Sequence, residues 1–135
     1  MAVLAALGLL IIRLVVGLTF AAHGTQKLFG WFGGHGLEGT GGFFDSVGIK
    51  PGKTMALMAG ISEVLGGLLF AAGLLTPFAA LVIICTMIVA ILKVHGPNGY
   101  WVTQNGAEYN VMLIVVTLGV ALIGAGTFSL DALLF

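Results

Sequence analysis

Residues 9–18 read LLIIRLVVGL and residues 59–69 read AGISEVLGGLL. Each stretch is apolar enough for lipid, and each carries one ionisable side chain near its middle, Arg13 or Glu63. A charge at bilayer depth costs about 2.5–3.5 kcal/mol on insertion scales, so it is retained where it is paired, buried or functional. These two stretches therefore set the solvent of the fold and the place to look for its chemistry.

The chain around them agrees. Of 135 residues, 59% are hydrophobic and 7% charged, more apolar surface than a soluble core of this size can hide. The length suits one domain over residues 1–135. Four segments are long enough to span: about Val3 to Ala22, Thr54 to Leu75, Phe78 to Val94 and Tyr109 to Gly126. A helical crossing needs about 20 residues, and the alternation of an outer-membrane strand is missing. The expectation is an all-α polytopic membrane protein, a four-transmembrane-helix bundle. The first run lacks a basic flank and is interrupted by Arg13, so it reads as a span rather than a removed signal peptide. Zero net charge gives no case for nucleic acid. Cys85, the sole cysteine, excludes an internal disulfide, a CxxC pair and a thiolate iron–sulfur site within one chain.

Four crossings place both termini on one side and the connections His23 to Lys53 and His95 to Glu108 on the other. The connections hold Lys27, Lys50 and Lys53, with Lys93 at the border. By the positive-inside rule they face the cytoplasm and both termini face out. The first connection has ten glycines between Gly24 and Gly52, interleaved with Phe29, Trp31, Phe32, Phe43 and Phe44. Such rings suit the headgroup region, so this Gly/aromatic-rich loop between helices 1 and 2 is expected at the interface. Thr40 to Val47 is expected as a short helix stopped by Gly48. Gly34-His-Gly-Leu-Glu-Gly39 fits GxGxxG, but without a preceding strand it is no nucleotide site.

Counting about 1.5 Å per residue, Arg13 lies ten residues from His23 and Glu63 ten from Lys53, each roughly 15 Å deep. Gly60, Gly66 and Gly67 flank Glu63, and Gly17 follows Arg13 at i+4, which favours close helix approach. The expectation is a structural ion pair between Arg13 and Glu63. It serves either as a helix clamp or as a charge-handling floor beneath a cavity. Above it, His23 and Lys27 share one helix face, Lys93 and His95 end the third helix, and Glu108 and Asn110 begin the fourth. His23, Lys27, Glu63, His95, Glu108 and Asn110 are thus the candidate ligand-binding residues. Lysine snorkelling and helix-end charge are the plainer reading of the same residues. No HxxxH or ExxH spacing occurs, so no metal is expected, and catalytic residues are not assignable.

The motifs together are specific. Arg13, His23-Gly24, Lys27-Leu-Phe-Gly30, Glu63-Val-Leu-Gly-Gly-Leu-Leu, Gly73-Leu-Leu-Thr-Pro77, His95-Gly96, Gly106-x-Glu-Tyr-Asn110 and Ser129-Leu-Asp131 closely resemble the bacterial DoxX family. The resemblance covers nearly the whole chain and implies a four-helix protein of the bacterial cytoplasmic (inner) membrane. It also implies a loose oxidoreductase role, from relatives resembling the small membrane subunit of thiosulfate:quinone oxidoreductase. Other relatives look like assembly partners.

Two functions follow as expectations. One is the membrane component of an oxidoreductase system, binding a quinone-like or small apolar ligand between helices on the loop side. It would carry no metal or covalent cofactor, and quinone is the possible one. The other is a non-catalytic anchor or assembly partner whose aromatic loop docks a redox or assembly protein. A small-solute transporter is a weaker third, since four short helices leave little room for alternating access. Glycine-rich faces also make a homo-oligomer plausible.

Overall fold

The computed structural model describes residues 2–135. Helix α1 runs Val3–Phe29, α2 Gly36–Ser46, α3 Gly52–Ala72, α4 Thr76–Ala90, α5 Glu108–Ile123 and α6 Leu130–Leu134. Among the described residues there is no strand. Three helices are long and apolar enough to cross a membrane: α1, α3, and α4 with its continuation to Asn98. The segment α5 is equally apolar but has 16 residues.

The helices turn their apolar surface outward. Leu4, Ile11 and Val15 on α1, Leu65 and Leu68 on α3, and Leu118 and Leu122 on α5 are exposed, as in a protein whose solvent is lipid. A smaller inner core joins Leu9, Phe20, Phe70, Ile83, Leu113 and Val120 from the four long helices.

The most extensive contact is between antiparallel α1 and α3, and glycine sets its closeness. A methyl on Gly17 would collide with the Gly67 carbonyl and the Ala71 amide, and one on Gly24 with the Gly60 carbonyl and Val64. Backbones approach this closely where side chains are absent. Helix α3 passes to α4 through Gly73, whose φ of 66° ends α3 in the left-handed conformation. Pro77 then sits in the first turn of α4.

The boundaries differ from the sequence reading chiefly at α1. It was expected to end near Ala22 but continues to Phe29, where Gly30 caps it at φ 74°. Gly24 does not stop it, because that glycine is locked against α3. In the first connection, α2 covers Gly36–Ser46 rather than Thr40–Val47, and Gly48 follows it with φ 84°. The α2 helix lies against α3, with Gly41 packed on Lys53. The Asp45 carboxylate accepts the Gly52 amide at 2.9 Å and so satisfies one free donor at the start of α3. The GxGxxG stretch forms the entry to α2.

The α1–α3 register overturns the expected Arg13–Glu63 ion pair. Gly17 faces Gly67 and Gly24 faces Gly60, so Glu63 is level with Ala21 and Arg13 with Ala71. The two charges are therefore eight residues, about 12 Å, apart along the bundle. The depth count erred because it set His23 and Lys53 at one level, whereas α1 continues past His23 by nearly two turns.

Candidate functional site

Arg13, 1% exposed, lies at the end of the bundle holding the α3–α4 turn. Its Nη2 donates to the Phe128 carbonyl at 2.8 Å and the Ala71 carbonyl at 3.3 Å, and its Nη1 donates to the Ala125 carbonyl. These acceptors come from the last turn of α3 and the segment between α5 and α6. Next to them, Asp131 accepts the Leu75 amide at 2.7 Å, the Thr76 amide at 3.0 Å and the Thr76 hydroxyl at 2.7 Å. It thereby caps α4. Burial pushes the Asp131 carboxyl up, but the Thr76 and Leu75 hydrogen bonds and the Arg13 charge outweigh it and hold it below the usual range. This end is a clamp, with a shallow cleft of about 450 Å³ beside Arg13, Ala71, Phe128 and Leu133.

The opposite end is open. A cavity of about 640 Å³ lies between the last turns of α1, the face of α3, the later part of α4, and α2 above. Its charged residues are Lys27 and Glu63. Lys27 Nζ donates to Glu63 Oε1 at 2.9 Å, with the lysine side chain 26% exposed and the glutamate 3%. Glu63 Oε2 has no hydrogen-bond partner among the described residues, and Glu63 lines the cavity. Around this floor stand Ser62 from α3 with Cys85 and Thr86 from α4. The α3–α4 pairing, which brings Gly66 onto Val82, sets these three residues and Glu63 at about one height. Higher walls carry Met55, Met58 and Met87, and the α2 side contributes Thr40, Phe43 and Phe44.

The expected site residues divide. Lys27, Glu63 and His95 line one cavity. His95 Nδ1 is itself held by donating to the Asn105 carbonyl at 2.9 Å. His23 lies behind the wall, with Nδ1 2.9 Å from Gln26 Oε1 and its ring edge-on to Tyr109 at 6.1 Å. Gln26 does line the cavity. Asn110 is buried behind Met87, donating to its Sδ at 3.4 Å, while its Oδ1 has no partner. Glu108 is turned away, accepting the Val102 amide at 2.9 Å to close the 99–108 connection. Sequence reasoning missed Gln26, His35, Ser62, Cys85 and Thr86 as cavity residues. One signal was available on α3, where Met55, Ala59 and Ser62 recur at i, i+4 and i+7 beside Glu63, a face less apolar than its surroundings. Thr40, Phe43 and Phe44 carried no such signal, because α2 reaches the cavity only through tertiary packing.

The arrangement is a membrane-depth pocket with apolar, sulfur-rich walls and a buried acid–base pair at its base. It offers an apolar ring a place to sit and one polar atom a donor and an acceptor. Among the described residues, no group of three His, Cys, Asp or Glu side chains could hold a metal ion.

Fold and site together define a helical, multi-pass membrane protein with a charge-floored pocket between its helices. The chain belongs to the DoxX family, whose profile matches residues 8–96, a span that holds Arg13, His23, Lys27, Glu63 and His95. It is 30% identical over 129 residues to the Bacillus subtilis (strain 168) protein named "Putative oxidoreductase CatD", covering 96% of this chain and 88% of that one. A Mycobacterium tuberculosis protein named only as an uncharacterized membrane protein is 28% identical over 130 residues, covering 89% of this chain and 77% of that one. An uncharacterized Haemophilus influenzae protein is 30% identical over 123 residues, covering 89% and 85%. No solved structure matches the chain.

Proposed function

We propose that this protein is the membrane component of an oxidoreductase system and that its loop-side cavity receives a quinone-like, ring-headed apolar ligand. The observation that carries this reading is the combination of a 640 Å³ cavity with buried Glu63 paired to half-buried Lys27 at its floor. Small-molecule sites typically enclose about 300–1,000 Å³ of mainly apolar wall with a few convergent polar groups. The Met55, Met58 and Met87 thioethers suit an aromatic ring, because sulfur packs favourably near ring edges. Lys27 donates to a ring oxygen while an apolar tail leaves between helices into lipid. The oxidoreductase part rests on the name of the Bacillus subtilis relative. Electron transfer itself belongs to a partner protein, since the chain has one cysteine and no metal-ligand spacing.

In this reading α5 is the fourth crossing of a single domain. It starts beside the His95 connection, and the segment after it meets Arg13 at the other end, so it travels the same length as α4. The lysine-bearing connections face the cytoplasm and both termini face outward across the inner membrane.

Purified protein in nanodiscs, titrated with a short-tailed benzoquinone, tests the proposal. Binding that is saturable, abolished by Lys27→Ala and by the cavity-filling Ala59→Phe, and only weakened by His23→Ala supports it. Absence of binding by the wild type overturns it. The anchor reading is favoured by one observation, the exposed cluster of Phe29, Trp31 and Phe32, tilted and edge-to-face rings that precede cavity-lining Gly33 and Gly34. It predicts that Trp31→Ala abolishes recovery of a partner protein while Lys27→Ala does not.

A further inference from the structure

We infer that the cavity floor selects a hydroxyl-bearing ring, the hydroquinone form, over the corresponding quinone, and that Glu63 is the residue that determines this choice. The inference rests on the ligand reading above and adds the chemical state of the ligand. Its basis is the unequal use of the two Glu63 oxygens. Oε1 accepts from Lys27 at 2.9 Å, whereas Oε2 has no partner among the described residues and belongs to a side chain that lines the cavity. An ionised carboxylate only accepts hydrogen bonds, and an ammonium only donates. Lys27 makes a single protein hydrogen bond, to Glu63, so it keeps donors for a ligand.

A hydroxyl placed over this pair can donate to Glu63 Oε2 and accept from Lys27 Nζ at once. A quinone carbonyl has lone pairs alone. It satisfies Lys27 but turns an acceptor toward Oε2, leaving that oxygen unpartnered after the ligand has displaced water. An unmade hydrogen bond to a buried charged group is where analogues lacking a hydroxyl are rejected most strongly. The neighbouring Ser62 and Thr86 hydroxyls do not cancel the preference. Thr86 donates to the Val82 carbonyl at 2.8 Å within its own helix, and Ser62 makes no hydrogen bond to Glu63. The Met and Phe walls contribute equally to both ring forms, so the discrimination lies at the floor.

The experiment compares wild-type protein in nanodiscs, without oxygen, against a short-tailed benzoquinone and its hydroquinone. A redox-inert pair, a para-alkylphenol and its methyl ether, is measured alongside. The hydroxyl member of each pair is expected to bind about tenfold to a hundredfold more tightly. Glu63→Gln supplies an amide that donates as well as accepts, and it should shrink or invert that ratio while quinone binding is kept. Equal affinities within each pair in the wild type overturn this inference and leave the ligand reading standing, whereas no binding of any of the four removes both. Because the two wild-type ratios involve no substitution, the outcome does not depend on the variant folding.

Discussion

The two ends of this bundle solve one physical problem differently. Arg13 and Glu63 are both ionisable, both within spanning helices, and 1% and 2% exposed. Arg13 directs its Nη donors at three main-chain carbonyls from α3 and the C-terminal segment, while its Nε has no partner among the described residues. Glu63 has one partner, a half-buried lysine at the rim of a cavity, and one oxygen left over. A guanidinium held by three carbonyls stabilises a tertiary junction, and the space it lines is a shallow surface cleft of about 450 Å³ between α1, α3 and the C-terminal segment. An acid beside a lysine and a 640 Å³ space retains binding capacity. Burial of a charge in a membrane protein is therefore not itself a functional signal; a carboxylate oxygen left without a partner beside a deep, polar-floored cavity is the stronger one.

The comparison breaks most readily at Arg13. Arg13→Met leaves the buried Ala71 and Ala125 carbonyls and the part-buried Phe128 carbonyl without this donor and should cost about 3 kcal/mol or more, at about 1–3 kcal/mol for each buried acceptor left unpaired, read by chemical unfolding in detergent. Combined with Glu63→Gln its effect should be additive within about 0.5 kcal/mol, because the two sites share no partner. A larger coupling would mean that the ends are not independent.

Gly67→Val should cost about 1–3 kcal/mol by forcing α1 away from α3, and it should loosen both ends together since it lies between them. At the open end, Lys27→Met and Glu63→Gln should show a coupling of about 1–2 kcal/mol in a double-mutant cycle, with hydroquinone affinity falling far more than stability. If stability falls more than affinity, the pair is a clamp like its counterpart.

The smallest effect belongs to Asp131→Asn. Losing the carboxylate cap of α4 should cost about 1 kcal/mol. Because the folded carboxyl sits below its ordinary value, its contribution is fully present above pH about 4 and is lost as pH falls through the folded pKa. The wild type should therefore lose more stability than Asp131→Asn on acidification, as thermal scans at stepped pH would reveal.

Much of the architecture was legible in the chain. The apolar runs around Arg13 and Glu63, the Gly73 and Pro77 punctuation and the glycines of α1 and α3 specify antiparallel helices in lipid, because composition and local backbone chemistry act through near neighbours. Glu63 could be nominated because charge at membrane depth is rare, and Lys27 and His95 because helix ends bring polar groups to one layer. The pairing could not. Nothing between His23 and Phe29 announces where α1 ends, and an overrun of seven residues past Ala22 shifts every level by which partners are matched. The role of Glu108 was hidden for a similar reason: its carboxylate closes a connection whose path depends on 3₁₀ turns at 96–98 and 102–104.

The sequence by itself determined that the chain enters a membrane as helices, that Arg13 and Glu63 must each find a partner, and that glycines bring α1 against α3. Only the tertiary structure decided which partner each charge has and where empty volume remains. Helix formation and lipid partition are governed by residues adjacent along the chain. Partner choice depends on the α1–α3 register, in which a displacement of eight residues moves a side chain about 12 Å and exchanges a carboxylate for a group of carbonyls.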